Sequence, residues 1–91
     1  MIEYDTRIAG SHYYYASSRI EPFRILCLRR DYLNEFDDNA IEILYQHQRV
    51  GYVPKDLAVV IRTHLDQGKQ MCAQCTAWVS PYEIYIKITI Y

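Results

Sequence analysis

Glycine and proline number only 3 each in this chain, and no stretch repeats itself or is low in complexity. Flexible tethers and disordered tracts are rich in both residues, so a linker-dominated protein is excluded and each Gly or Pro reads as punctuation. Cysteine is equally sparse: Cys27, Cys72 and Cys75. An odd number of thiols without a secretory leader excludes a disulfide scaffold and implies reduced cysteine in an intracellular setting, cytoplasmic in a prokaryote or nuclear in a eukaryote. The opening Met1-Ile2-Glu3-Tyr4-Asp5 has neither the basic flank nor the apolar core of a signal peptide. No apolar run approaches the roughly 18 residues of a membrane span, so no membrane partner is expected. Excess positive charge is missing too. A formal net charge of -1 argues against the broad, nonspecific duplex binding that a basic surface provides. Any nucleic-acid contact must rest on a local cluster of cations, first among them Arg29, Arg30 and Lys55, with Arg7 and Arg19 behind.

What is present is ordinary for a folded protein: 91 residues, 51% hydrophobic and 23% charged, which fits one domain over 1–91. A chain this short buries only about 60 to 65% of its unfolded surface, so its core is thin. Aromatics make up 14%, and 10 of them are tyrosine. A ring with a polar tip suits a half-buried strand or a contact surface.

The pattern along the chain is strands, one helix, strands. Residues 2–9 read as a first strand ending at Gly10, and 13–16 as a short edge strand. Phe23 to Leu28 carries apolar residues on both faces, the mark of a strand buried on both sides. A polar corner over 31–39 leads into a hairpin of Ala40–Tyr45 and Arg49–Val53, turning at Gln46-His47-Gln48. Pro54 opens a helix whose apolar face is Leu57, Ala58, Ile61 and Leu65, and Gly68 stands where a left-handed cap ends it. Met71–Val79 and the last segment are strands, with Ile84, Ile86, Ile88 and Ile90 inward and Tyr85, Lys87, Thr89 and Tyr91 outward. The expectation is a mainly β fold with one helix: a small, partly open barrel of about six strands with the helix plugging one end.

Three groups of residues bear on chemistry. Cys72-Ala73-Gln74-Cys75 has the spacing of half a zinc site, with His47 or His64 as conceivable partners. On a strand the two thiols face opposite ways, so small buried thiols are the preferred reading and neither a metal nor another cofactor is expected. His12, His47 and His64 are scattered, with no nucleophile–base pair, phosphate loop or paired carboxylates, so the chain is not read as an enzyme. The third group is aromatic and polar: Gly10-Ser11-His12-Tyr13-Tyr14-Tyr15, Asn34 to Ile41, and Gly51-Tyr52-Val53-Pro54-Lys55. Rings stack on bases, Asn and Asp meet base edges or sugar hydroxyls, and Lys and Arg meet phosphates. The same Asn34, Asp37 and Asn39 serve equally well as builders of a tight turn.

These three segments, with Leu28-Arg29-Arg30, resemble the HIRAN family over roughly residues 7 to 68. The resemblance implies an OB-like or SH3-like β-barrel that captures single-stranded DNA at its 3′ end. It implies Tyr13 and Phe36 as stacking rings, Asp37 and Asn34 on the terminal nucleotide, and Lys55 on a phosphate. His12, Tyr14, Arg30 and Tyr52 complete the expected DNA-binding set. His12 stands where the family carries an arginine, Phe36 where it usually carries tyrosine, and Glu35 where proline is common. Trp78 or Tyr82 is the candidate for a further aromatic near the C-terminus. The family occurs in DNA-remodelling ATPases of replication-fork repair and as free-standing proteins; no ATPase motif stands in this chain. The second reading is a protein-interaction or self-association module of the same fold, using Tyr13 to Tyr15 and Tyr85 to Tyr91.

Overall fold

The computed structural model describes residues 1–91. It contains strands β1 (Ile2–Arg7), β2 (Ile25–Arg30), β3 (Ile41–Tyr45) and β4 (Gln48–Tyr52), helix α1 (Lys55–Asp66), and strands β5 (Met71–Ser80) and β6 (Glu83–Ile90). All strand pairs are antiparallel and the sheet order is β1-β6-β5-β2-β3-β4. The two outer strands meet at one point. Ala9, just beyond β1, donates to the Tyr52 carbonyl (2.8 Å) and accepts from the Tyr52 N–H (2.9 Å). The sheet is therefore a barrel closed at a single bridge and otherwise partly open. Gly51 permits the closure: at φ 149° a Cβ there would stand 2.3 Å from Ile8 Cγ2 and 2.7 Å from the Ala9 carbonyl oxygen. Only a residue without a side chain lets the end of β1 pass so close over β4.

The core follows the alternation of the sequence. Ile84, Ile86, Ile88 and Ile90 are all at most 2% exposed. Each fully buried isoleucine contributes about 2 kcal/mol over an exposed one. Helix α1 adds Ala58 and Ile61 to this core, with Leu57 and Leu65 packed against it. Pro54 precedes its first turn, and Gly68 takes a left-handed φ of 77° just past its end.

Three elements differ from the sequence pattern. Residues 13–16 are not a strand; they fall in two 3-10 turns, Ser11–Tyr13 and Tyr15–Arg19, joined by an extended Tyr14. The Ser17 hydroxyl donates to the carbonyls of Ser11 and Tyr14 (both 2.8 Å), and such side-chain bonds draw the backbone away from a ladder. The second strand begins at Ile25 and is buried on one face only: Leu26 is 1% exposed, whereas Phe23, Ile25 and Cys27 face solvent. No layer covers that outer face, and an antiparallel sheet tolerates water there. The first strand stops at Arg7, with Ala9 reduced to the closing bridge. Of the two neighbouring thiols, Cys75 is buried, while Cys72 is only half-buried and lies 3.4 Å from the Tyr91 hydroxyl.

Candidate functional site

The corner between β2 and β3 is built by its own polar side chains. Asn34 Oδ1 accepts the N–H groups of Phe36 (2.8 Å) and Asp37 (3.0 Å). Asp37 Oδ1 accepts the Asn39 N–H (2.9 Å), and the Asp37 carbonyl accepts from Ala40 (3.2 Å). These are the short Asx-type bonds that Asn and Asp form readily. They fold the loop so that Phe36 points outward, 86% exposed.

Beneath the corner lies an ion-pair chain. Asp31 Oδ2 accepts the Tyr52 hydroxyl (2.7 Å) and the Asn34 amide (3.4 Å), and Arg49 stands 3.8 Å away. Arg49 Nε donates to Glu42 (2.6 Å), and Arg29 Nε donates to the other oxygen of the same carboxylate. Glu42 is 2% exposed, so two guanidiniums compensate one buried charge. The hydrogen bond from Tyr52 holds the Asp31 carboxyl below the usual carboxylate range. Burial, then the bond to Asp31, pushes the Tyr52 phenol up to about 12. One aspartate thus ties the end of β4 to the base of the corner.

Between these parts is a groove of about 190 Å³, walled by Asn34, Phe36, Asp37, Tyr52 and Lys55 over a floor that includes Ala9 and Val53. Five residues of the expected binding set therefore meet around one concavity. Lys55 is exposed at the first position of α1. Arg30 does not join them. Its side chain is 7% exposed and donates to Asp66 (3.0 Å), the Ala40 carbonyl (3.0 Å) and the Asp38 carbonyl (3.1 Å). It braces the corner against the end of α1, with each of its three nitrogens bonded away from the groove.

The remaining three belong to the loop that leaves the groove floor at Ala9. Gly10 takes a left-handed φ of 70°, and Tyr13 follows it 79% exposed. His12 lies against Tyr13 (ring centroids 4.0 Å apart, tilted 39°) and stacks on Tyr82 (4.5 Å, 17°). The Ser11 hydroxyl donates to the Pro81 carbonyl, which fastens this loop to the β5–β6 turn and brings Tyr82 into reach. Tyr14 is half-buried. Of the two late aromatics, Trp78 is half-buried and donates to the Ser17 carbonyl (3.0 Å), whereas Tyr82 is 72% exposed. Tyr82 is the one available as a ring.

Asp31, Glu42 and Arg49 are absent from the sequence-derived set. Each is an unremarked charged residue in its own segment, and only the β2-β3-β4 register brings them together. The largest cavity, about 480 Å³, lies elsewhere, among Asp5, Arg7, Thr76 and Tyr85 on β1, β5 and β6; it includes the secondary cation candidate Arg7 but none of the expected DNA-binding set.

A family model described as the HIRAN domain matches residues 1–91. Three solved structures share the fold. The crystal structure of the HIRAN domain of human HLTF is 21% identical, with a TM-score of 0.88 over 97% of this chain and 74% of that one. A crystal structure of a protein from Lactobacillus plantarum is 19% identical, with a TM-score of 0.78 over 96% of this chain and 95% of that one. An NMR structure of the HLTF HIRAN domain in its DNA-bound conformation is 20% identical, with a TM-score of 0.74 over 97% and 73%. No curated protein sequence matches the chain.

Proposed function

The chain belongs to the HIRAN family, and from that premise we propose that it is a DNA-binding module, not an enzyme, that takes single-stranded DNA by a 3′ end in the corner groove. The observation that carries this reading is the convergence of Asn34, Phe36, Asp37, Tyr52 and Lys55 on one concavity. The DNA-bound conformation recorded for the HLTF domain, whose fold this chain shares, adds support.

Each group has a part in this reading. Phe36 and Tyr13, exposed and backed by fixed loops, are the faces on which bases stack. Asp37 spends one carboxylate oxygen on Asn39 and offers the other to a terminal sugar hydroxyl. The Asn34 carbonyl oxygen already serves the loop, so Asn34 shapes the wall more than it reads the ligand. Lys55 neutralises a phosphate at the start of α1, where the helix dipole also favours an anion. Tyr52 forms the inner wall, while His12 and Tyr14 steady the aromatic loop.

Fluorescence anisotropy with matched oligonucleotides ending in a 3′-hydroxyl or a 3′-phosphate tests this. Tighter binding of the hydroxyl is expected. Equal binding removes end recognition, and no binding of either at low salt removes the nucleic-acid reading. The second reading, a protein-contact module, draws on the exposure of Tyr13, Tyr15 and Tyr82. It predicts that Asp37→Ala leaves association with a partner intact.

A further inference from the structure

Phe23 stands where glycine is normally found. Residues 21–24 form a tight turn closed by Arg24 N–H to the Glu21 carbonyl (3.3 Å), with Pro22 second and Phe23 third. Its φ is 69°, the left-handed value that a proline-led turn of this type requires and glycine supplies without strain. The conformation is held from both sides: the Phe23 N–H donates to the Cys75 carbonyl (2.7 Å), and its own carbonyl accepts from Gln74 Nε2 (3.0 Å). The ring gains no burial in return, being 71% exposed. A strained backbone that presents an aromatic ring to water marks a contact point.

Phe23 opens the uncovered outer face of β2. A concavity of about 380 Å³ at Phe23 and Ile25 shares Gln46 with a second, of about 180 Å³, at Cys27, Leu44 and Arg29. Arg29 shares the buried Glu42 with Arg49, and Arg49 lies over the Tyr52 ring (5.3 Å), which walls the corner groove. Both guanidiniums use Nε on Glu42; Arg29 stays 65% exposed, whereas Arg49, 40% exposed, also turns a terminal nitrogen toward Asp31 (3.8 Å). The face thus leads from the groove through the paired charges of Arg49, Glu42 and Arg29 to the apolar stretch at Cys27 and Ile25 and ends at the Phe23 ring.

We propose that the outer face of β2-β3-β4 is a second subsite for single-stranded nucleic acid. It carries the nucleotides that lead away from the 3′ terminus in the groove, with Phe23 as a distal stacking ring and Arg29 and Arg49 on the intervening phosphates. It rests on the groove reading and extends it. The six residues of β2 span about 20 Å, enough for several nucleotides beyond the groove.

The test compares a deoxythymidine trinucleotide with a decanucleotide, both ending in a 3′-hydroxyl, by anisotropy. The decanucleotide should bind the natural chain more tightly. Phe23→Ala should weaken the decanucleotide about tenfold, the loss of one stacked base, and leave the trinucleotide unchanged. Phe23→Gly should give the same loss while raising the melting temperature, since glycine accepts the turn without strain. Arg29→Ala should flatten the salt dependence for the decanucleotide alone. Equal affinities for the two lengths, or a decanucleotide affinity untouched by both Phe23 variants, would overturn the subsite and reassign this face to a protein partner or to none. Loss of trinucleotide binding in Phe36→Ala, with that result, would leave the groove standing by itself.

Discussion

The corner over residues 31–40 and the aromatic loop over 10–15 flank the same Ala9–Tyr52 bridge, yet they use their side chains in opposite ways. In the corner, Asn34, Asp37 and Asp31 are committed inward, to N–H groups of the loop and to Tyr52. In the aromatic loop, buried Ser11 and Ser17 do the holding, and the rings of His12 and Tyr13 are left at the surface. Polar residues build one wall; in the other they free the rings. A residue's type therefore does not say whether it binds or supports: the same Asn and Asp that suit a base edge are here largely occupied in shaping the backbone that presents Phe36.

The comparison can be broken most severely at the glycine both regions share. Gly51→Ala forces a Cβ into Ile8 and Ala9 and should cost about 3 kcal/mol, read as a lower urea midpoint at unchanged slope. An unchanged midpoint would mean that the closing bridge is dispensable. Next, Tyr13→Ala and Asp37→Ala separate binding from building. Both should weaken single-stranded DNA binding about tenfold or more under the proposed function. Only Asp37→Ala should also destabilise, by about 1 kcal/mol for its lost bond to Asn39, with Tyr13→Ala within about 0.5 kcal/mol of the natural chain.

Tyr52→Phe probes the link beneath the corner and should cost about 1 kcal/mol at neutral pH. Its pH signature has a definite sign. The Tyr52 pKa is raised, so its contribution is complete below pH 10 and is lost as pH rises through about 12. The Asp31 pKa is lowered, so its contribution is present above the ordinary carboxylate range and is lost as pH falls through its depressed value. Urea midpoints against pH should therefore drop at both extremes, and Tyr52→Phe should shrink both drops. The smallest effect is expected at Lys55. Lys55→Ala should lower the slope of log affinity against log salt by about 0.7, the share of one phosphate, without changing stability.

Much of the fold was legible in the sequence because its signals are local. The Ile84–Ile90 alternation, the Pro54 helix entry and the hairpin turn, read at Gln46 to Gln48 and found at Gln46 and His47, each depend on neighbours in sequence. The aromatic loop was not, since Tyr13-Tyr14-Tyr15 has strand character that the Ser17 hydroxyl, bonded to two carbonyls of the loop, overrides. Phe23 misled in the other direction: it extends an apolar alternation on paper but lies in a left-handed turn outside the sheet. For the site, the motif segments located the groove wall. Its bracing by Asp31, Arg49 and Glu42 depends on strand register, as does the withdrawal of Arg30 toward Asp66. Long-range pairing of that kind leaves no mark in any one segment.

The most direct check is to titrate isotopically labelled protein with a short single-stranded oligonucleotide ending in a 3′-hydroxyl and to follow backbone and ring resonances by NMR. Shifts should concentrate at Tyr13, Phe36, Asp37 and Lys55. Shifts confined to Asp5, Arg7, Thr76 and Tyr85 around the larger cavity, or none at all, would contradict the assignment of the groove.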